Sequence, residues 1–254
     1  GASYSVTHGS IGTFVPREGQ MKFKADRERF TYHHHTTNSV WPLFEEILQA
    51  HYPTDVVTLN GQTPAGPQKM GLFITALDTG HYTQLAYTFV DNSNANIVGV
   101  KGDKDAKYRK FGIDTPVFHA AKERNKLYIL EANQLKDQVA ALMSLKYDPG
   151  NDERQPAGFM NYPIPTGGKY LPANFFSHYE AEQRKIETKE GEGIASRWEK
   201  KNSAVQNHFW DVRCYNLAAR EIMVYLLMKE LKVEQPHKRT WADYVIAVGG
   251  GKKN

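Results

Sequence analysis

Cysteine is nearly absent from this 254-residue chain. The lone Cys214 excludes an intrachain disulfide and a thiolate zinc cluster, and it suits a reducing cytoplasm. No apolar run is long enough to span a bilayer and no signal-peptide pattern opens the chain, which reads as soluble and cytoplasmic. Charge is only mildly unbalanced: 32 basic against 28 acidic residues leave a formal +4. Such a balance permits a nucleic-acid partner but does not argue for one, because a basic face must be local to bind phosphates. Internal repeats and low-complexity tracts are missing. There is no Gly-x-x-x-x-Gly-Lys-Ser/Thr phosphate loop either. Its nearest approach, Gly167-Gly168-Lys169-Tyr170, lacks the hydroxyl residue that would hold magnesium, so no ATPase motor is expected here.

What is present is an alternation of strand and helix patterns, in a chain long enough to bury a substantial core. Strands are expected over 4–8 and 29–35, and a helix over 40–52 capped by Asn38 or Ser39. The continuous apolar run 71–77 reads as a central buried strand. A helix through Phe89, a strand over 97–101, a strand over 127–130 and a helix over 134–145 follow. Residues 148–193, rich in Pro, Gly and charge, read as long loops around shorter elements. The longest helix falls within 202–231, and Cys214 in it reads as a core residue.

Two acids stand out. Asp78 ends the apolar run Leu72-Phe73-Ile74-Thr75-Ala76-Leu77 and precedes Thr79-Gly80; Asp211 lies in Asn207-His208-Phe209-Trp210-Asp211, which opens the longest helix. Carboxylates brought together from separate elements are what hard divalent cations and two-metal phosphodiester chemistry require. For Asp78 the competing reading is a strand-end acid capping the next helix. For Asp211 it is a solvated acid paired with Arg213 or Lys201, although the neighbouring Phe209, Trp210 and Val212 would make an unpaired acid costly. Lys101, at a strand end before Gly102, is either a cation over a phosphate or a surface lysine. His33-His34-His35 invites a metal reading, but alternate strand residues face opposite ways and no partner completes a zinc set, so packing is the expected role. The same holds for His8 and His208.

Asp78-Thr79-Gly80, the helix after it and Val98-Gly99-Val100-Lys101-Gly102 are similar to a strand–acid–helix–strand–Lys-Gly block of the nuclease domain of phage terminase large subunits of the lambda-like GpA type. Leu127 to Leu145, with Lys136 inside, resembles the strand and helix that follow. Asn207 to Ala219 resembles the acid-bearing final helix, and Thr240-Trp241-Ala242-Asp243-Tyr244 the closing segment. The resemblance implies an RNase H/resolvase-like mixed central sheet flanked by helices, forming a single nuclease domain over 1–254. It implies metal-dependent endonuclease cutting of concatemeric viral double-stranded DNA during packaging in the host cytoplasm. Asp78 and Asp211 would hold magnesium or manganese in a two-metal site, and Lys101 would offset charge. The motor, and through it the terminase small subunit and portal, would belong to the full-length protein.

The resemblance also exposes a departure. The family's first acid sits on its opening strand, and neither early strand candidate has one at its centre. Either Tyr4 to Gly12 is the family's second strand and hairpin, with the acid upstream of Gly1, or that acid is lost; Asp26, Asp103 or Asp114 could add an oxygen. Backbone grip on DNA is expected from the basic stretches 104–110 and 197–201. Two other readings stay open: an RNase H-like module that binds DNA without cutting, and a docking domain whose tail, 249–254, tethers another subunit.

Overall fold

The computed structural model describes residues 3–4, 33–54, 68–103, 118–121, 126–162, 174–189 and 193–248. The expectations for residues 5–12 (His8 included), Asp26, 29–32, the basic stretch 104–110, Asp114, 167–170 and the tail 249–254 lie outside them. The chain divides into two compact units, residues 10–100 and residues 1–9 with 101–254.

In the unit of residues 10–100, α1 (Trp41–Gln49) starts with Pro42 in its first turn, where a missing N–H costs nothing. The Ser39 hydroxyl accepts the Trp41 N–H. The helix stops three residues short of Tyr52 because His51–Thr54 (β2) pairs antiparallel with Gln68–Gly71 (β3). The apolar run 71–77 is not one strand. It breaks after Gly71, leaves Leu72 and Phe73 exposed at 44% and 59%, and resumes as β4 (Thr75–Asp78). Strand β4 pairs in parallel with β5 (Ile97–Gly102), joined by α2 (Thr83–Asn92). The deeply buried strand is β5, where Ile97, Val98 and Val100 are closed off from solvent; β4 is only half-buried. Leu48, Phe89, Val90 and Ile97 form the core, with Trp41 stacked on Phe89 at 4.6 Å. His33 to His35 form a turn, not a strand. His34 stacks on Trp41 at 5.0 Å, and its Nε2 lies 2.8 Å from the Leu85 carbonyl oxygen, a packing role.

In the other unit, Ser3–Tyr4 (β1) pairs in parallel with Met160–Asn161 (β8). Phe118–Ala120 (β6) pairs antiparallel with Leu127–Leu130 (β7). Helix α3 (Ala132–Met143) follows β7 and packs on α4 (His208–Glu230), the longest helix. Trp210, Cys214, Ala218, Ile222 and Met228 recur at helical spacing along α4 and are all buried. The last described element is α5 (Trp241–Val248), also against α4. The expected loop region 148–193 instead carries a long antiparallel hairpin, Glu182–Lys189 (β9) with Gly193–Lys200 (β10). It is fastened to α3: the Trp198 N–H donates to Asn133 Oδ1 at 2.7 Å, the Trp198 indole donates to Asp137 Oδ1 at 2.8 Å, and Arg184 pairs with Asp137 at 3.0 Å.

The main sheet runs β4-β5-β7-β6, with parallel and antiparallel pairs, and β5 itself carries the border between the units at 100/101. The architecture is therefore α/β, a mixed sheet with flanking helices, consistent with an RNase H-like fold.

Candidate functional site

Asp78 closes β4 as an exposed side chain. Its Oδ1 accepts the Gly80 N–H at 2.8 Å, so the carboxylate folds back over its own turn. Thr79 anchors that turn from inside: it is fully buried, and its N–H and hydroxyl donate to the Val100 carbonyl at 2.9 and 3.1 Å. Helix α2 starts only at Thr83, after Tyr82 with a φ of 48°, and no side chain caps it. Asp78 is thus not a helix cap.

Asp211 occupies the first turn of α4, the end where the helix dipole favours negative charge. It pairs with Lys136 of α3, a residue given no such role from the sequence, whose Nζ lies 3.3 Å from Asp211 Oδ1. The same ammonium donates to both oxygens of Glu182 at the start of β9, at 2.7 and 2.8 Å. Asn207 completes the group, donating from Nδ2 to Glu182 Oε1 at 2.5 Å. The side chains of Glu182 and Asp211 are 3% and 28% exposed, so one acid is sealed and the other reaches solvent. Burial pulls the Lys136 pKa down, but the Asp211 and Glu182 carboxylates outweigh it and the net shift is upward. Cys214, one helical turn beyond Asp211, is pushed up to about 12 by burial and is a core thiol. Arg213 donates from Nε to Met160 Sδ.

An aromatic shell fixes the first turn of α4. Phe209 packs with tilted rings against Phe175 at 4.8 Å and His178 at 4.6 Å, and Trp210 meets Tyr179 at 5.6 Å. His178 is buried, and its Nδ1 accepts the Phe209 N–H at 3.3 Å, which requires the neutral ring. Burial first, then the neighbouring His208 and Lys200, lowers its pKa. A histidine whose folded pKa is depressed stays neutral while the unfolded chain takes up a proton. Its contribution is therefore complete above about pH 6.5 and is lost as pH falls below that value. His178→Asn, which keeps an acceptor near the Nδ1 position, is expected to flatten that acid limb in urea unfolding measured from pH 5 to 8. An unchanged limb would assign it to other groups.

Lys101 is the penultimate residue of β5, with a half-buried side chain, and begins the unit that holds Asp211. Asp103 is half-buried, and its N–H donates to the Leu130 carbonyl at 2.9 Å. In the basic stretch 197–201, Arg197 pairs with Glu199 at 3.4 Å, so part of its charge is already balanced. His208 is exposed at the start of α4.

Sequence reasoning missed Glu182 and Asn207 and gave Lys136 no role of its own. Only the strong polarity of 182–189 and the placement of Lys136 on the face of α3 turned to α4 could have signalled them. The oxygen donors suit magnesium or manganese better than zinc. Lys136, Glu182 and Asp211 together carry −1, exposed at Asp211, which fits a hydrated hard cation. Among the described residues no three His, Cys, Asp or Glu side chains gather as a ready-made metal cluster, and no helix among them is long and apolar enough to cross a membrane.

Comparison with known proteins returned no match among curated proteins and none among solved structures. A family model does match, that of the endonuclease domain of the terminase large subunit gpA, over residues 4–231. With the acid-bearing turn after β4 and the Asp211 helix both inside that span, the chain belongs to the terminase large subunit gpA endonuclease-domain family.

Proposed function

We propose that the chain is a metal-dependent endodeoxyribonuclease that cuts concatemeric viral double-stranded DNA during genome packaging in the host cytoplasm. The observation that carries this reading is Asp211: a half-exposed carboxylate on the first turn of α4, held at 3.3 Å from a lysine ammonium, within a chain of an endonuclease family. Asp211 and Asp78, each in its own unit, are assigned as oxygen ligands of magnesium or manganese. When bound, such ions activate water and stabilise the leaving oxygen.

The residues of the chain supply the rest. The Gly80 N–H orients the Asp78 carboxylate, and the aromatic shell orients Asp211. Lys136, which keeps its proton, sets a positive charge beside Asp211 where a phosphate oxygen would approach, and Lys101 is assigned the same charge-offsetting role. DNA is held by its phosphates, with little reading of sequence. The small subunit and portal are assigned as partners of the full-length terminase.

Incubation with supercoiled plasmid and manganese tests the reading. Nicking is expected, and EDTA should abolish it. Nicking that survives chelation would remove the metal from the reaction, and no nicking at any metal concentration would favour a DNA-binding or docking module.

A further inference from the structure

The two acids of the α4 cluster are not equivalent. Both oxygens of Glu182 are taken, Oε1 by Asn207 and Lys136 and Oε2 by Lys136, and the side chain is sealed from solvent. Asp211 is the solvent-facing member and holds the ammonium only at 3.3 Å, against 2.7 Å for Glu182. A lysine ammonium has three N–H groups. Two are directed to Glu182, which leaves one for Asp211.

The two carboxylates therefore compete for one positive charge, and the shorter, buried contact takes most of it. Asn207 serves both sides of the competition. Its amide fixes Glu182, and its carbonyl accepts the Asp211 N–H at 2.9 Å, which starts the turn that carries Asp211.

Resting on the nuclease reading above, we propose that Glu182 and Asn207 are positioning residues. They draw the Lys136 charge into the protein so that Asp211 keeps its own negative charge for a divalent cation. Glu182 itself does not ligate the cation, because neither of its oxygens is available and it does not reach solvent. Without Glu182, the ammonium would pair fully with Asp211 and cancel the charge that attracts metal.

Manganese binding to the full chain, followed by electron paramagnetic resonance, tests this. Glu182→Gln keeps the side-chain shape and the Asn207 contact, and should weaken manganese binding about tenfold or more, the scale of one charge at ion-pair distance in a partly screened site. Adding Lys136→Met to Glu182→Gln should restore affinity to near the wild-type value, because Asp211 is then free of the ammonium. A metal-ligand role for Glu182 predicts the reverse: the double variant stays as weak as the single one. Asn207→Leu should weaken binding less than Glu182→Gln. Thermal melts of each variant keep unfolding apart from lost affinity. Recovery of manganese binding in the double variant, with no plasmid cutting by the wild type, would sink the nuclease reading and leave the positioning role standing. Cutting by wild type with no recovery in the double variant would overturn the positioning role alone.

Discussion

Asp211→Asn is expected to abolish DNA cutting while leaving the protein folded, with a rate loss of at least about 100-fold, the scale seen when one charge-stabilising group at a reacting centre is removed. The substitution keeps the size and shape of the side chain and removes the charge. Asp211 reaches solvent, so a neutral amide there is not trapped without water, and Lys136 retains its tighter contact with Glu182. Asp78→Asn is expected to behave alike. Its amide oxygen can still accept the Gly80 N–H, so the turn after β4 survives while the ligand charge does not. Plasmid nicking in manganese, with a thermal melt of each variant as control, measures both. Retained cutting by both folded variants would move the active centre elsewhere in the chain.

The largest stability effect should come from Lys136→Met. It leaves the Glu182 carboxylate sealed in the protein with its cation gone, and breaking a buried pair on one side typically costs about 3–5 kcal/mol. Glu182→Gln in the same chain should recover most of that loss, since a neutral amide keeps the Asn207 hydrogen bond and needs no counter-charge. The sign with pH follows from the raised pKa of Lys136. The contribution is complete below the ordinary lysine range near 10.4 and is lost as pH rises through the higher folded value. Urea unfolding of wild type, single and double variants decides it. A single variant as stable as wild type would mean the pair contributes nothing in solution.

Where apolar residues set the pattern, the elements were legible. The strand 127–130 matches β7 residue for residue, and helices expected over 134–145 and within 202–231 became α3 and α4. The run 71–77 misled because Leu72 and Phe73 look buried by composition, yet they sit exposed in a break between β3 and β4. The hairpin β9–β10 was hidden for the opposite reason. Its first strand reads Glu-Gln-Arg-Lys-Ile-Glu-Thr-Lys, with no alternation of apolar residues to announce a strand. Glu182 was invisible with it. A buried acid is recognisable only through its partners, and these lie 46 residues before it, at Lys136, and 25 after it, at Asn207. Asp211 was legible because an acid among Phe209, Trp210 and Val212 contradicts its surroundings, though its partner was not.

The single thiol gives the molecule a clock. Cys214 is buried in the first half of α4 and its pKa is pushed up to about 12, so in the closed protein it offers almost no thiolate to an alkylating reagent. Modification then proceeds only through openings that lift this part of the helix, and its rate counts those openings against the global unfolding free energy. Because no second cysteine competes, one mass-spectrometric signal reports how often the segment carrying Asp211 comes loose, and how far a bound cation or DNA slows it.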